Sequence, residues 1–271
     1  MNRLEIASVP IDRIDMEEAM RRLGDALAGG RQVQVATVNL DFLVKAQRQP
    51  DLRAVLGRTE LNVADGMPVV WLSRLVGRPV PARVAGADMA PLLVAEAAAR
   101  GAGVFLLGGE HGAAELAARR LRLEHPGLRT IDWHEPPRAG LDDMDNERLV
   151  ELIAGSGAEL LLVALGNPKQ ELWIDRYRHR LPGVAVAVGV GCVFDLWAAR
   201  VRRAPVWMQR AGLEWLHRLL AEPRRLAGRH AAGVAWLLLL AGHSLFRRAT
   251  AAVDSPQHPR REGGTGGRLA P

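Results

Sequence analysis

Cysteine is nearly absent: Cys192 is the one thiol in 271 residues. That excludes a disulfide scaffold and a cysteine-based zinc site. Between Gly191 and Val193, Cys192 reads as a small buried hydrophobe rather than a nucleophile. Lysine is almost missing too, with only Lys45 and Lys169, so nearly all positive charge is arginine. Aromatic residues make up 4% of the chain, too few for a base-stacking surface, and no nucleic-acid partner is expected. The opening MNRLEIASVPIDRID has no apolar signal-peptide core, so the protein is expected to be made and kept in the cytoplasm.

What is present is a chain that is 48% hydrophobic, enough to bury a substantial core. Its net charge of +6 is unevenly spread. From residue 200 onward there are thirteen arginines against four acidic residues, while residues 1–199 are slightly acidic. A basic C-terminal end suits anionic phospholipid, diphosphate or nucleic acid.

Along residues 1–199, amphipathic helical stretches alternate with short all-apolar ones. IDMEEAMRRLGDALAGG carries Asp15 and Glu18 at capping-box spacing, and VQVATVN, TELNVADG, GVFLLGG, LRTID, ELLLVALG and GVAVAVGVG read as strands. Such alternation predicts an α/β, Rossmann-like, mostly parallel sheet with helices on both faces. The strand exits at Thr37–Asn39, Asp65-Gly66, Gly108-Gly109, Gly166-Asn167 and Gly189–Gly191 should share one rim, where ligands of such sheets gather.

After residue 200 a basic helical appendage is expected over 200–250, in which Arg210, Glu214 and Arg218 share a face. It ends in AAGVAWLLLLAGHSLF, shorter than the roughly twenty residues of a membrane span. An interfacial helix, a helix closing the core and an oligomer contact all fit that run. The tail, 251–271, is polar and rich in Gly and Pro, a composition that predicts disorder.

Several motifs carry candidate chemistry. Gly108, Gly109 and Gly112 stand between a strand and a helix, where backbone N–H groups can meet phosphate; a plain tight turn explains them as well, and the spacing is not GxGxxG. Asp143 and Asp145 imitate a metal-binding acid pair, but they precede an amphipathic helix and read as caps. GNPKQELW puts Lys169 and Gln170 at a strand exit, able to hold phosphate or sugar hydroxyls. Asp65 at its own strand exit is a turn carboxylate or, with Thr37, Asn39 and Gln170 at the same rim, the acid at the centre of a pocket.

Taken together, TVNLDFLVKAQ, ADGMPVVW, RVAGADM, LLGGEHGAAELAA, GNPKQELWI, GVGCVFD, RRAPVWMQRAGLEWLHRL and EPRRL resemble the WecG/TagA/CpsF glycosyltransferases, over about residues 4–230. The resemblance implies an inverting, metal-independent transfer needing no cofactor. A sugar (N-acetylmannosamine, its uronic acid or glucose) would move from a UDP donor to a polyprenyl-diphosphate-linked acceptor at the cytoplasmic face of the plasma membrane. It implies Asp65 as general base, Thr37, Asn39, Arg83 and Gln170 around the pocket, and Asp195 at the nucleoside. Arg218 and Arg225 would lie in a basic appendage that reaches over the site toward an anionic membrane surface. Residues 1–199 would then be the donor-binding catalytic domain. The rival readings are a non-catalytic nucleotide-sugar or membrane-binding module, and an NAD-type oxidoreductase that would need the missing GxGxxG.

Overall fold

A computed structural model of the chain describes residues 2–29, 31–210 and 213–221. In chain order the elements are β1 (Arg3–Ile6), β2 (Val9–Asp12), α1 (Met16–Gly29), β3 (Val33–Val38), α2 (Leu40–Arg48), α3 (Pro50–Arg58), β4 (Leu61–Ala64), α4 (Met67–Leu75) and α5 (Gly86–Ala99). They continue with β5 (Val104–Gly108), α6 (Ala113–Glu124), β6 (Ile131–His134), α7 (Asn146–Ser156), β7 (Leu160–Ala164), α8 (Lys169–Tyr177), β8 (Val186–Gly189), α9 (Val193–Trp197), α10 (Val206–Arg210) and α11 (Glu214–Ala221).

Six strands form one parallel sheet in the order β4-β3-β8-β7-β5-β6. The side chains alternate as the period of two requires. Val104, Leu106, Leu160, Leu162, Val186 and Val188 face a core built with α1, α5 and α6. Phe105, Leu107, Leu161, Val163 and Ala187 face α7 and α8. Both faces are covered, so the strands read as continuous apolar runs. The sheet is the α/β, Rossmann-like fold that the alternation predicts. All six strands leave at one rim, as expected.

The exposed flank of β4 is dressed by a hairpin, β1 against β2. Asp12, 1% exposed, accepts from Arg3 Nε at 2.9 Å and from the backbone N–H of Asn62 at 2.8 Å, so the hairpin is pinned to the edge strand. Strand β6 starts at Ile131, the fourth residue of LRTID: Leu128 and Arg129 bond back to His125 and Ala102, and pairing with β5 begins only at Val104↔Ile131.

Asp15 accepts from Glu18 N at 2.9 Å and Asp145 from Arg148 N at 3.1 Å, so both act as helix caps. Beyond residue 200 the expected long helix is described as two short ones, α10 and α11, with 201–205 non-helical. Residues 222–271, and with them Arg225, the apolar run and the tail, lie outside the described residues.

Candidate active site

The exits of β3 and β4 are tied together first by backbone. The N–H of Asp65 donates to Val38 O at 2.8 Å, and the N–H of Val84 donates to Ala64 O at 2.8 Å, which brings Arg83 beside the end of β4. Gly66 then turns the chain with φ of 117°, a value that excludes most side chains. A Cβ there would lie 3.9 Å from Asn39 Cβ, so the two loops touch. Asn39 caps α2, its Oδ1 accepting from Asp41 N at 3.0 Å.

Thr37, 6% exposed, donates its hydroxyl to Gly189 O at 3.2 Å and so links the β3 and β8 exits. Helix α5 starts against it: a Cβ on Gly86 would lie 3.1 Å from Thr37 Cγ2. Gln170 and Glu171 pack on the other side of Gly189, where any Cβ would collide with Gln170 Nε2 and Glu171 Oε1. Thr37, Asn39, Asp65, Arg83 and Gln170 therefore converge on the adjacent exits of β4, β3 and β8.

Arg83 is held by two carboxylates, Asp88 at 2.9 Å and Glu214 at 3.0 Å. Arg203 meets the same two, Asp88 at 2.6 Å and Glu214 at 3.2 Å. This four-charge knot docks the start of the C-terminal segment onto the rim. Beside it lies a cleft lined by Ala87, Cys192, Leu196, Arg203 and Glu214. Cys192 is half-buried on that wall rather than sealed in the core. Asp195 stands one turn on, in the first turn of α9, with its backbone carbonyl accepting from Arg200 N at 2.9 Å.

The other candidates stand apart. Gly108 and Gly109 end β5, three strands along from β3. The N-terminus of α6 beyond them already holds an anion: Glu135 accepts from Gly112 N and Ala114 N, both at 2.7 Å. Gly108 is required by packing, since a Cβ would come within 2.7 Å of the Ala164 carbonyl. At these glycines the geometry favours the tight-turn reading. Lys169 turns away to Ala139 O at 3.0 Å. Arg218 belongs to α11, but its side chain is outside the described residues.

Comparisons with known proteins identify the family. The profile of the Glycosyl transferase WecG/TagA/CpsF family matches residues 4–251. This chain belongs to that family. A relative from Bacillus spizizenii, N-acetylglucosaminyldiphosphoundecaprenol N-acetyl-beta-D-mannosaminyltransferase, is 34% identical over 194 residues, covering 70% of this chain and 72% of its own. The protein is thus a glycosyltransferase, and the rim cluster is its candidate active site.

Sequence reasoning missed three contributors. Arg203 and its carboxylate partners gave no signal, because they meet only in the fold. Glu135 lies far from α6 in sequence. Glu171 left a trace: it stands three residues before Ile174, on the same side of α8, where an apolar residue is expected, and both are buried. Glu171 is 0% exposed, and burial pushes its carboxyl up to about 8, against the opposing pull of Gln170 and the Lys45 charge.

Proposed function

We propose that this glycosyltransferase moves N-acetylmannosamine from UDP to an N-acetylglucosaminyl-diphosphoundecaprenol acceptor, with inversion and without a metal ion. The observation that carries the reading is the convergence on Asp65. A carboxylate at a strand exit stands among Asn39, Thr37, Arg83 and Gln170, beside a cleft edged by arginine.

In this reading Asp65 takes the proton of the acceptor hydroxyl, a poor nucleophile near neutral pH. The acceptor oxygen attacks the anomeric carbon from the face opposite UDP. The bond from that carbon to the β-phosphate oxygen breaks, and UDP leaves with the added negative charge. One displacement inverts the centre. Backbone N–H groups at the strand exits and the arginines after residue 200 outside the neutral Arg83–Arg203 knot supply the compensating charge. The metal-free element is supported by the acid pair Asp143 and Asp145, whose second member is engaged as the cap of α7.

The acceptor is a lipid, so the enzyme works at the cytoplasmic face of the membrane. No helix among the described residues is long and apolar enough to cross one. Val206, Trp207 and Leu220 are exposed on α10 and α11, and with the basic C-terminal segment they suit an anionic surface.

The deciding experiment screens UDP-sugars against an N-acetylglucosaminyl-diphospholipid in anionic vesicles, with products identified by mass. Transfer of N-acetylmannosamine is expected; transfer of its uronic acid or of glucose instead would correct the donor. Binding of UDP with no transfer from any donor would overturn the reading.

A further inference from the structure

Beneath the rim Gln170 belongs to a buried polar cluster whose other members, Gln34 and Glu171, have no part in the proposed chemistry. Gln170, 2% exposed, donates Nε2 to Glu171 Oε1 at 2.7 Å. Gln34, 1% exposed, donates Nε2 to the Glu171 backbone carbonyl at 3.0 Å. Gln34 Oε1, Gln170 Oε1 and Glu171 Oε2 are buried and have no hydrogen-bond partner. Three acceptors without a donor is a costly arrangement in a dry interior.

We propose that Glu171 is a positioning residue of the transferase site, fixing the face that the Gln170 carboxamide presents to substrate at the strand exits. The inference rests on the reading of Gln170 as a pocket residue. Three observations carry it. The hydrogen bond from Gln170 Nε2 to Glu171 orients the amide. Gly189 closes the space behind both side chains, so neither can swing back. A protonated Glu171 also supplies the donor that the cluster lacks, whereas an ionised one adds only acceptors.

Among the described residues no cation pairs with the Glu171 carboxyl to hold it ionised. Strand β3 offers it neutral Gln34, and β8 offers Gly189. Among the described residues Lys45 on α2 is the charge that acts on it, and Lys45 is paired with Asp41 at 2.9 Å and Asn167 O at 2.8 Å. Arg58 on α3 turns to Asp175 at 2.7 Å, and Arg178 to Glu60 at 2.6 Å. Glu171 therefore works as a neutral acid. Ionising it places an uncompensated negative charge behind a site for an anionic donor.

The test uses the full chain with side-chain-labelled glutamate and glutamine, followed by NMR from pH 5 to 9.5. The Glu171 carboxyl is expected to titrate near 8, with the Gln170 amide signals moving at the same midpoint. Kinetics then separate positioning from mere stability. Glu171→Leu should lower kcat/KM by about tenfold to a hundredfold in folded protein. The parent is expected to lose kcat/KM above pH 8, and Glu171→Gln should restore most of the Glu171→Leu loss and lack that alkaline fall. Titration in the ordinary carboxylate range, an alkaline fall unchanged in Glu171→Gln, or full kcat/KM in folded Glu171→Leu would each overturn the proposal. A parent protein that transfers no sugar would instead defeat the transferase reading, and the NMR titration would still decide this one.

Discussion

Arg83 and Arg203 grip the same two carboxylates, one from the sheet domain and one from the C-terminal segment: each reaches both Asp88 and Glu214. The knot is neutral overall and partly shielded, with the Arg83 side chain 19% exposed and that of Glu214 22%. Two cations are thus kept beside the Asp65 exit without a net charge to destabilise the empty site.

Such a knot predicts energetic coupling across the two parts of the chain. A double-mutant cycle of Arg83→Ala and Glu214→Ala, read by denaturant unfolding, should give a coupling of about 1 kcal/mol, at the upper end of the range of exposed pairs. Additivity within error would mean that the C-terminal segment does not dock through Glu214.

Asp65 and Asp145 make a matched pair of acids with opposite expectations. Asp65→Asn should cut turnover about 10²–10⁴-fold while leaving UDP affinity within a few-fold by calorimetry, because the base acts on the acceptor. Asp145→Ala should leave turnover intact and cost about 1 kcal/mol of stability through the lost cap of α7.

Gly189 is where the rim packs most closely: its carbonyl accepts from Thr37, and Gln170 and Glu171 fill the space that a Cβ would take. The Gly189→Ala methyl would have to displace the ends of two buried side chains, Gln170 and Glu171. We expect a loss of about 1–3 kcal/mol by thermal or denaturant unfolding, together with a drop in kcat/KM, as overpacking at a closed site requires.

How far the sequence reveals this molecule differs by region. The alternating body was readable because buried parallel strands are continuously apolar, and the rim followed because every parallel strand leaves at the same edge. Asp65, Thr37 and Asn39 were readable for that reason. The β1–β2 hairpin was not: its turn uses Ala7 and Ser8 at φ of 52° and 59°, positions that normally announce themselves with Asn or Gly. The contacts of Arg203 and Glu135 were hidden because they join residues far apart in the chain. The phosphate reading of Gly108 and Gly109 weakened for the same reason, since the carboxylate that fills the α6 N-terminus comes from a different strand exit.

Glu171 also gives the protein a characteristic dependence of stability on pH. Its carboxyl is raised from an ordinary 4.5 to about 8 by burial. Below the lower value both folded and unfolded chains hold the proton, and the residue has no effect on stability. Between the two values only the folded chain holds it, so each rise in pH favours the unfolded state. Above about 8 both are ionised and the loss levels off. Folding free energy should therefore fall between about pH 5 and pH 8 by an amount on the order of a few kcal/mol, set by the size of the shift. In Glu171→Gln, where no proton can be lost, urea unfolding followed across that range should show this component gone. A variant that kept the parent's slope would assign the decline to other groups and leave Glu171 ionised in the folded protein.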